Sequence, residues 1–386
     1  MDDKEIINEA KKRISKNLNE YERFIKERLE SSKDKKEKLY YQKLLMYAKS
    51  LKKEFALRER LKRSILIPKR FDYPIGVQLE LTYKCNQRCL QCYNNSGTTK
   101  DREITGDEWV GIVENLVKFP IRDVVISGGE PTLLGDTLIK IMDIFHKNGA
   151  YFRFITNGML IDEEWINKLA KYDFSFIQFS IDGATPEVHD KIRGAKGSYD
   201  RVIKAALLAK SYGLPVAVAS VIMKLNLHQL EDLIDQAYML GAFRIIIGAF
   251  MYAGRAIKNK GQLELNEQEL FEIEERIEKK RGEYGNRMLV VKALDPAASL
   301  RYHVIGSTDF ILIRPNGDVR IDCQAPFKIG NILEESVEEI WKRVGWYAWQ
   351  HNSVLNYVDK VKHEFDILNV EPRTHYDEDL LLEPVL

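Results

Sequence analysis

Cysteine is scarce in this chain, with four among 386 residues. So few thiols exclude a disulfide-stapled scaffold, and at 45% hydrophobic residues a chain of this length can build its core without staples. Long apolar runs are missing too. No stretch of ~18 or more apolar residues occurs, which excludes a membrane-spanning helix. The first residues, Met1-Asp2-Asp3-Lys4-Glu5, lack the apolar stretch of a secretory signal, so a cytoplasmic location is expected. Internal repeats and low-complexity tracts are absent. Net charge is nearly absent as well, at +1 from 59 basic and 58 acidic residues. The length predicts two or three domains.

The near-zero charge conceals an asymmetry. Residues 1–70 hold 22 Lys and Arg against 12 Asp and Glu, a net +10, so residues 71–386 carry −9. In the basic segment Ile7, Ile14, Leu18, Tyr21, Ile25 and Leu29 recur at helical steps, and a second stripe runs through Leu44, Ala48, Leu51 and Phe55. Ser31-Ser32-Lys33-Asp34 interrupts them. The pattern predicts a helical hairpin over 1–70 whose stripes face each other or the following domain. Its basic face reads as a docking surface for an acidic partner or as an ordinary solvated face.

From about residue 75 the pattern alternates strands and helices. Strands are expected at Gly76–Thr82, Asp123–Ser127, Phe152–Thr156, Phe174–Ile181, Pro215–Met223 and Phe243–Ala249. Helices are expected near 106–118, 133–148, 161–171, 198–212 and 228–240. Such alternation predicts an α/β fold with a parallel sheet. Six units are too few to close an eight-stranded barrel, so a partial (β/α)6 TIM-like barrel over 71–256 is expected, with ligand sites at the carboxyl ends of its strands. A helical linker over 257–300 and a small α+β region over 301–386 complete the division. In the latter, Pro315-Asn316-Gly317 between two apolar runs signals a hairpin.

Three of the four cysteines fall within eight residues directly after the first strand: Cys85, Cys89 and Cys92. Three thiolates on one loop can hold a compact metal centre. Structural zinc would need a fourth ligand, and no His or Cys lies nearby. A cubane iron–sulfur cluster with three cysteine ligands would leave one iron open, which is the chemically useful option.

This C-x3-C-x2-C spacing, with Tyr93 after the last cysteine, resembles the radical S-adenosylmethionine (SAM) superfamily. Further matches follow in order at strand ends: Ser127-Gly128-Gly129-Glu130-Pro131, Thr156-Asn157-Gly158, Ser180-Ile181-Asp182-Gly183, and His189 to Gly194. The resemblance covers roughly 75–256. It implies one [4Fe-4S] cluster on the three cysteines, and SAM held by Tyr93, Gly128, Gly129, Glu130, Thr156, Asn157, Ser180, Asp182 and Arg193. In these roles Gly128 and Gly129 let backbone approach the ligand, and Glu130 accepts from the SAM ammonium. Thr156 and Ser180 face the ribose, Arg193 the methionine carboxylate, and the Tyr93 backbone the adenine. For Thr156, Ser180, Asp182 and Arg193, capping or ion pairing remains an equal reading. The resemblance also implies reductive cleavage of SAM to a 5′-deoxyadenosyl radical that abstracts hydrogen from a substrate, with a reducing partner such as flavodoxin or ferredoxin.

Arg314 to Val319, Cys323, Ile329 to Ile332 and Val337 to Trp341 resemble the SPASM/twitch extension found on peptide-modifying members, among others. That extension normally carries auxiliary clusters on several cysteines. Here Cys323 stands alone, so a degenerate extension without an auxiliary cluster is expected. Cys323 itself reads as a packed small hydrophobe, as a hydrogen-atom donor that quenches a substrate radical, or as a substrate or cluster contact. The expected substrate is a ribosomally made precursor peptide, undergoing cross-linking, epimerisation or a similar change. A small molecule (a sugar, tetrapyrrole or lipid precursor) is the alternative. A non-catalytic metal-containing nucleic-acid module is a third reading that would leave the strand-end residues unexplained.

Overall fold

The computed structural model describes residues 3–63, 70–98, 102–248, 250–293, 295–363, 366–367, 369–373 and 378–384. Two long helices, α1 (Asp3–Ser31) and α2 (Lys35–Arg63), come first. Six strand–helix passages follow: β1 (Gly76–Glu80), α3 (Gly106–Leu116), β2 (Asp123–Ser127), α4 (Asp136–Lys147), β3 (Tyr151–Thr156), α5 (Glu163–Leu169), β4 (Phe174–Ser180), α6 (Pro186–Arg193), α7 (Ser198–Ser211), β5 (Val216–Val221), α8 (Leu230–Met239) and β6 (Arg244–Gly248). Ala249, expected to end β6, lies outside the described residues. Short helices α9 (Arg255–Lys258) and α10 (Lys260–Leu263) lead to α11 (Glu267–Tyr284), β7 (Leu289–Lys292) and α12 (Pro296–Val304). The chain closes with β8 (Phe310–Ile313), β9 (Asp318–Arg320), β10 (Phe327–Asn331), α13 (Val337–Arg343), α14 (Asn352–Lys360) and β11 (Leu380–Leu381). No helix among the described residues is long and apolar enough to cross a membrane.

Local chemistry sets the helix starts. Thr105 and Glu108 form a reciprocal capping box on α3, as do Asn266 and Glu269 on α11 and Ser336 and Glu339 on α13. The Asp162 carboxylate accepts from Trp165 N to open α5. Strands β1 to β6 are rich in Val, Ile and Phe, and most of their residues are buried, as in a sheet covered on both faces.

All strands join one sheet, in the order β11-β10-β9-β8-β1-β2-β3-β4-β5-β6-β7. The mixed α/β architecture with a parallel sheet is as expected, but two more strands extend it. β7 pairs in parallel with β6, and β8 in parallel with β1. The parallel part therefore holds eight strands, and it crosses the divisions expected at 256 and 300. β7 is only four residues long and exposes Leu289 and Val291, so it carried too little periodicity to be read within a helical segment. β8 and β9 do form the hairpin around Pro315-Asn316-Gly317, pairing Leu312 with Arg320 and Ile313 with Val319.

The helical hairpin is part of this body. Ile14, Leu18, Tyr21, Ile25, Ala48 and Leu51 are buried in the main core. Its cations meet the body's carboxylates: Lys36 with Glu272 at 3.3 Å, Lys43 with Glu274 at 3.0 Å and Glu278 at 2.6 Å, and Arg13 with Asp359 at 3.1 Å. A share of the +10 excess is thus spent on holding the hairpin to the −9 body, which favours the ordinary-helix reading of its basic face. Arg301 of α12 lies beneath it, 1% exposed, donating to the carbonyls of Ala297, Val358 and Val361, with its guanidinium 4.0 Å from the Tyr21 ring centroid.

Replacing Arg301 with Leu removes those three bonds and the cation–π contact. The unfolding free energy should fall by about 2–4 kcal/mol, with faster amide exchange in α1. A denaturation midpoint and α1 exchange rates equal to the parent's would show that Arg301 does not fasten the hairpin.

Candidate active site

The cysteine-bearing loop follows β1 and sits over the carboxyl ends of the parallel strands. A cavity of about 310 Å³ lies there. Cys85, Cys89, Cys92, Tyr93, Gly128, Gly129, Glu130, Thr156, Asn157, Ser180, Asp182 and Arg193 all line it. Every residue nominated from the sequence except Cys323 therefore meets at one place.

The loop is held from several sides by backbone. Arg88 N and Leu90 N donate to the carbonyls of Arg193 and Ile192, at 3.0 and 2.9 Å. Arg255 N donates to Cys92 O at 2.9 Å, and its side chain donates to Cys89 O and Ser96 O. Gly129 N and Glu130 N donate to Thr82 O and Lys84 O. A Cβ on Gly129 would stand 2.0 Å from Lys84 O, and one on Gly254, which also has φ +57°, would stand 2.2 Å from Tyr93 O. These glycines are required by contact with the loop's own backbone. For Gly129 the missing side chain makes room for residues 83–84, and the residue also lines the cavity.

Glu130 is 1% exposed, and its oxygens are largely occupied. Oε1 accepts from Thr132 N, Thr132 Oγ1 and Thr156 Oγ1, and Oε2 accepts from Asn157 N at 2.8 Å. Burial pushes its pKa up while these donors hold it down. Oε2 keeps a free lone pair, so it can take one more donor. The Thr156 hydroxyl donates to Glu130 and accepts from Gly158 N, so its donor capacity is spent. Asn157 donates to Asn86 Oδ1 at 2.7 Å and lies 3.9 Å from Cys85 Sγ.

Asp182 and Arg193 form a buried ion pair at 2.7 Å. Arg193 also reaches Cys89 Sγ at 3.7 Å, while Asp182 accepts from Gln91 Nε2 and from Val221 N. Asp182 and Arg193 are thus paired with each other beside the cysteine loop. Burial and the Arg193 charge hold His189 down to about pKa 3, so it is neutral, and its Nδ1 accepts from Asp182 N at 3.2 Å. Ser180 lines the cavity between these groups.

Sequence reasoning missed Gln87, Gln91 and Ser96, and it met Arg255 only within Gly254-Arg255-Ala256, which resembles the peptide-modifying branch, without giving it a role. The signal for the first three was proximity to the cysteines, but glutamine and serine carry no motif of their own. Four buried polar atoms on this wall have no hydrogen-bond partner: Gln87 Nε2, Gln91 Oε1, Ser96 Oγ and Arg193 Nε. Unpartnered buried groups are costly, and their concentration around one cavity fits a polar cofactor such as SAM. Burial pushes the Cys85 thiol up to about 12 and also raises that of Cys89. Metal must therefore displace protons there. Three cysteine thiols on one loop beside the cavity are a donor set that suits a cubane cluster with one iron left open.

Below this cavity lies a second, of about 530 Å³, sharing Gln78, Ile155 and Gln178 with the first. Alternate strand residues face it, including Val125, Arg153, Phe176, Arg244 and Leu312. Cys323 lines this chamber and not the upper cavity. Burial pushes its pKa up to about 12, so it remains a thiol.

Residues 79–237 match the model of the Radical SAM superfamily. PqqA peptide cyclase of Bradyrhizobium diazoefficiens is 28% identical over 290 residues, covering 74% of this chain and 75% of that protein. Mycofactocin maturase MftC of Mycolicibacterium smegmatis is 36% identical over 172 residues, covering 44% and 43%, so the chain spans under half of that relative. Among solved structures, SuiB of Streptococcus suis superposes with a TM-score of 0.61 in its SAM-bound form, at 15% identity over 87% of this chain and 88% of that one. Its form bound to precursor peptide SuiA superposes at 0.60, with 14% identity over 88% and 80%. At such identities the likeness concerns the fold.

Two outcomes follow from this wiring. Glu130→Gln places an amide donor against a backbone donor, Asn157 N–H if the nitrogen replaces Oε2, and should cost about 1–3 kcal/mol of stability. An unchanged melting temperature would contradict the assigned bonding. For His189 the folded pKa of about 3 lies below the free value of 6.5. Between those values the unfolded chain binds a proton that the folded one refuses, so stability present above pH 6.5 is lost as pH falls toward 3. His189→Asn, whose oxygen can keep the Asp182 N–H bond, should flatten denaturation midpoints across that window, and parallel pH slopes would count against it.

Proposed function

We propose that this chain, an enzyme that belongs to the radical SAM superfamily, modifies a ribosomally made peptide, with one [4Fe-4S] cluster held by Cys85, Cys89 and Cys92. The observation that carries this reading is the upper cavity, where three cysteines and four unpartnered polar atoms line one wall. When bound, the cluster and SAM supply a 5′-deoxyadenosyl radical for hydrogen abstraction.

The chain's own residues bind, orient and exclude water. Arg193 Nε is available for the SAM carboxylate while the rest of its guanidinium stays on Asp182 and Cys89. Glu130 Oε2 has one acceptor position for the SAM ammonium. Ser180 on β4 suits the ribose. Tyr93 donates its hydroxyl to Glu80 at 2.9 Å, and its backbone faces the adenine in the roles the resemblance implies. Thr156 and Asn157 act through Glu130 and the cysteine loop rather than by their own donors.

Similarity to enzymes named for peptide cyclisation and maturation supports a peptide substrate. So does the lower chamber, which gives a side chain a route to the cofactor cavity. Cys323 opens onto that chamber as a protonated thiol, the form able to give up a hydrogen atom. With no other cysteine outside the loop, we read the C-terminal region as free of auxiliary clusters. A flavodoxin or ferredoxin of the cytoplasm would supply the electron.

Anaerobic reconstitution should yield about four irons per chain, and eight would overturn the single-cluster assignment. Peptide extracts should stimulate 5′-deoxyadenosine formation, and protease treatment of the extract should abolish it. Stimulation that survives protease would place the substrate among small molecules. Cys323→Ser should still cleave SAM yet lose normal product, and unchanged turnover would end its role as donor.

A further inference from the structure

Arg244 opens β6 and lines the lower chamber. Its guanidinium lies 4.0 Å from the Phe176 ring centroid and 5.6 Å from that of Phe243. Its Nε is buried without a hydrogen-bond partner. Of the carboxylates nearby, Asp123 and Asp322 are engaged elsewhere, and Asp309, which also lines the chamber, is held by burial above the usual carboxylate range. Asp123 is bound by Arg153 through two bonds of 2.8 and 2.7 Å. Asp322 accepts from the Gln324 and Ala325 amides and faces His303. The charge felt by Arg244 is the like charge of Arg153, which together with burial lowers its pKa. A half-buried cation stacked on rings, with a shielded Nε that has no partner, gains from an anion that enters the chamber it lines.

We propose that Arg244 binds a carboxylate of the substrate at the end of the lumen remote from the cysteines. This deepens, and rests on, the peptide reading above. The substrate class is then a peptide with an acidic side chain, Asp or Glu, seated in the lower chamber. Val125, Ile155, Phe176, Ile246 and Leu312 pack the methylenes of that residue, and the planar guanidinium takes both carboxylate oxygens. Along β6, Arg244 stands four residues before Gly248, which pairs with Val221 of the upper cavity. That spacing is about 13 Å. The guanidinium therefore anchors the peptide away from the reacting carbon and fixes which residue reaches the radical. Arg244 is in this sense a specificity-determining residue.

The test measures binding to the reconstituted, SAM-loaded protein of two probes, N-acetyl-glutamate methylamide and N-acetyl-glutamine methylamide. These differ only in carboxylate against amide. By calorimetry the acid should bind about tenfold or more tightly. Arg244→Gln should bring the two to equal affinity, and Arg244→Lys should restore part of the preference, which a merely structural role would not do. Equal binding to the parent protein, binding of neither probe, or a preference that survives Arg244→Gln would each overturn the proposal. Loss of protease-sensitive stimulation of SAM cleavage would instead sink the peptide reading. The two failures are therefore distinguishable.

Discussion

The site depends on bare backbone meeting bare backbone. Gly129, Gly194 and Gly254 come from three separate parts of the chain, and each presses its Cα against the cysteine loop where a side chain would collide with a carbonyl. Around these contacts run the amide bonds from Arg88, Leu90, Gly129, Glu130 and Arg255. A loop of eight residues has no secondary structure to fix it, so its shape is imposed from outside. The cysteines can then stand apart at fixed positions, as ligands of a multi-iron centre must. Glu130 and the Asp182–Arg193 pair tie the ends of β2, β3 and β4 to the same loop.

Electrostatics does a second job at larger scale. The excess positive charge of the first seventy residues and the deficit of the rest are not two independent surfaces. Lys36, Lys43 and Arg13 are paired with Glu272, Glu274, Glu278 and Asp359 across the join. Since the hairpin also buries Tyr21, Ile25 and Leu51, it behaves as a layer of the catalytic body.

Much of this was legible in the sequence. The cysteine spacing and the strand-end motifs placed twelve residues that line one cavity. They were readable because Cys, Gly-Gly-Glu and Asn-Gly are rare combinations at strand ends. The helical hairpin was readable from its stripes. β7 was not, because four residues with two exposed apolar side chains lack a period. The pairing of β8 with β1 was hidden because nothing local to Phe310–Ile313 distinguishes a hairpin arm from a barrel wall. Gln91 and Ser96 were missed, and Arg255 was met without a role, because their importance comes only from what the fold brings near them. The contacts that Gly129 and Thr156 make with their protein neighbours were not legible for a related reason. A side chain at a strand end can serve the ligand or its neighbours, and the sequence does not distinguish the two.

Glu80 closes β1, is fully buried, and accepts from Tyr93 and Asn94. Its other companions are Arg314, at 3.6 Å, and through it Asp379 and Arg320. The carboxylate that steadies the cysteine loop is thus neutralised by residues far downstream in the sequence. During translation the loop would emerge with its supporting anion uncompensated, and Gly76 would wait for Phe310 to pair. Non-local pairing of this kind slows folding and prolongs exposure of unfinished edges. The segment around the cysteines therefore reaches its final support only once the chain as far as Arg314 and β8 is present to pair with β1 and Glu80.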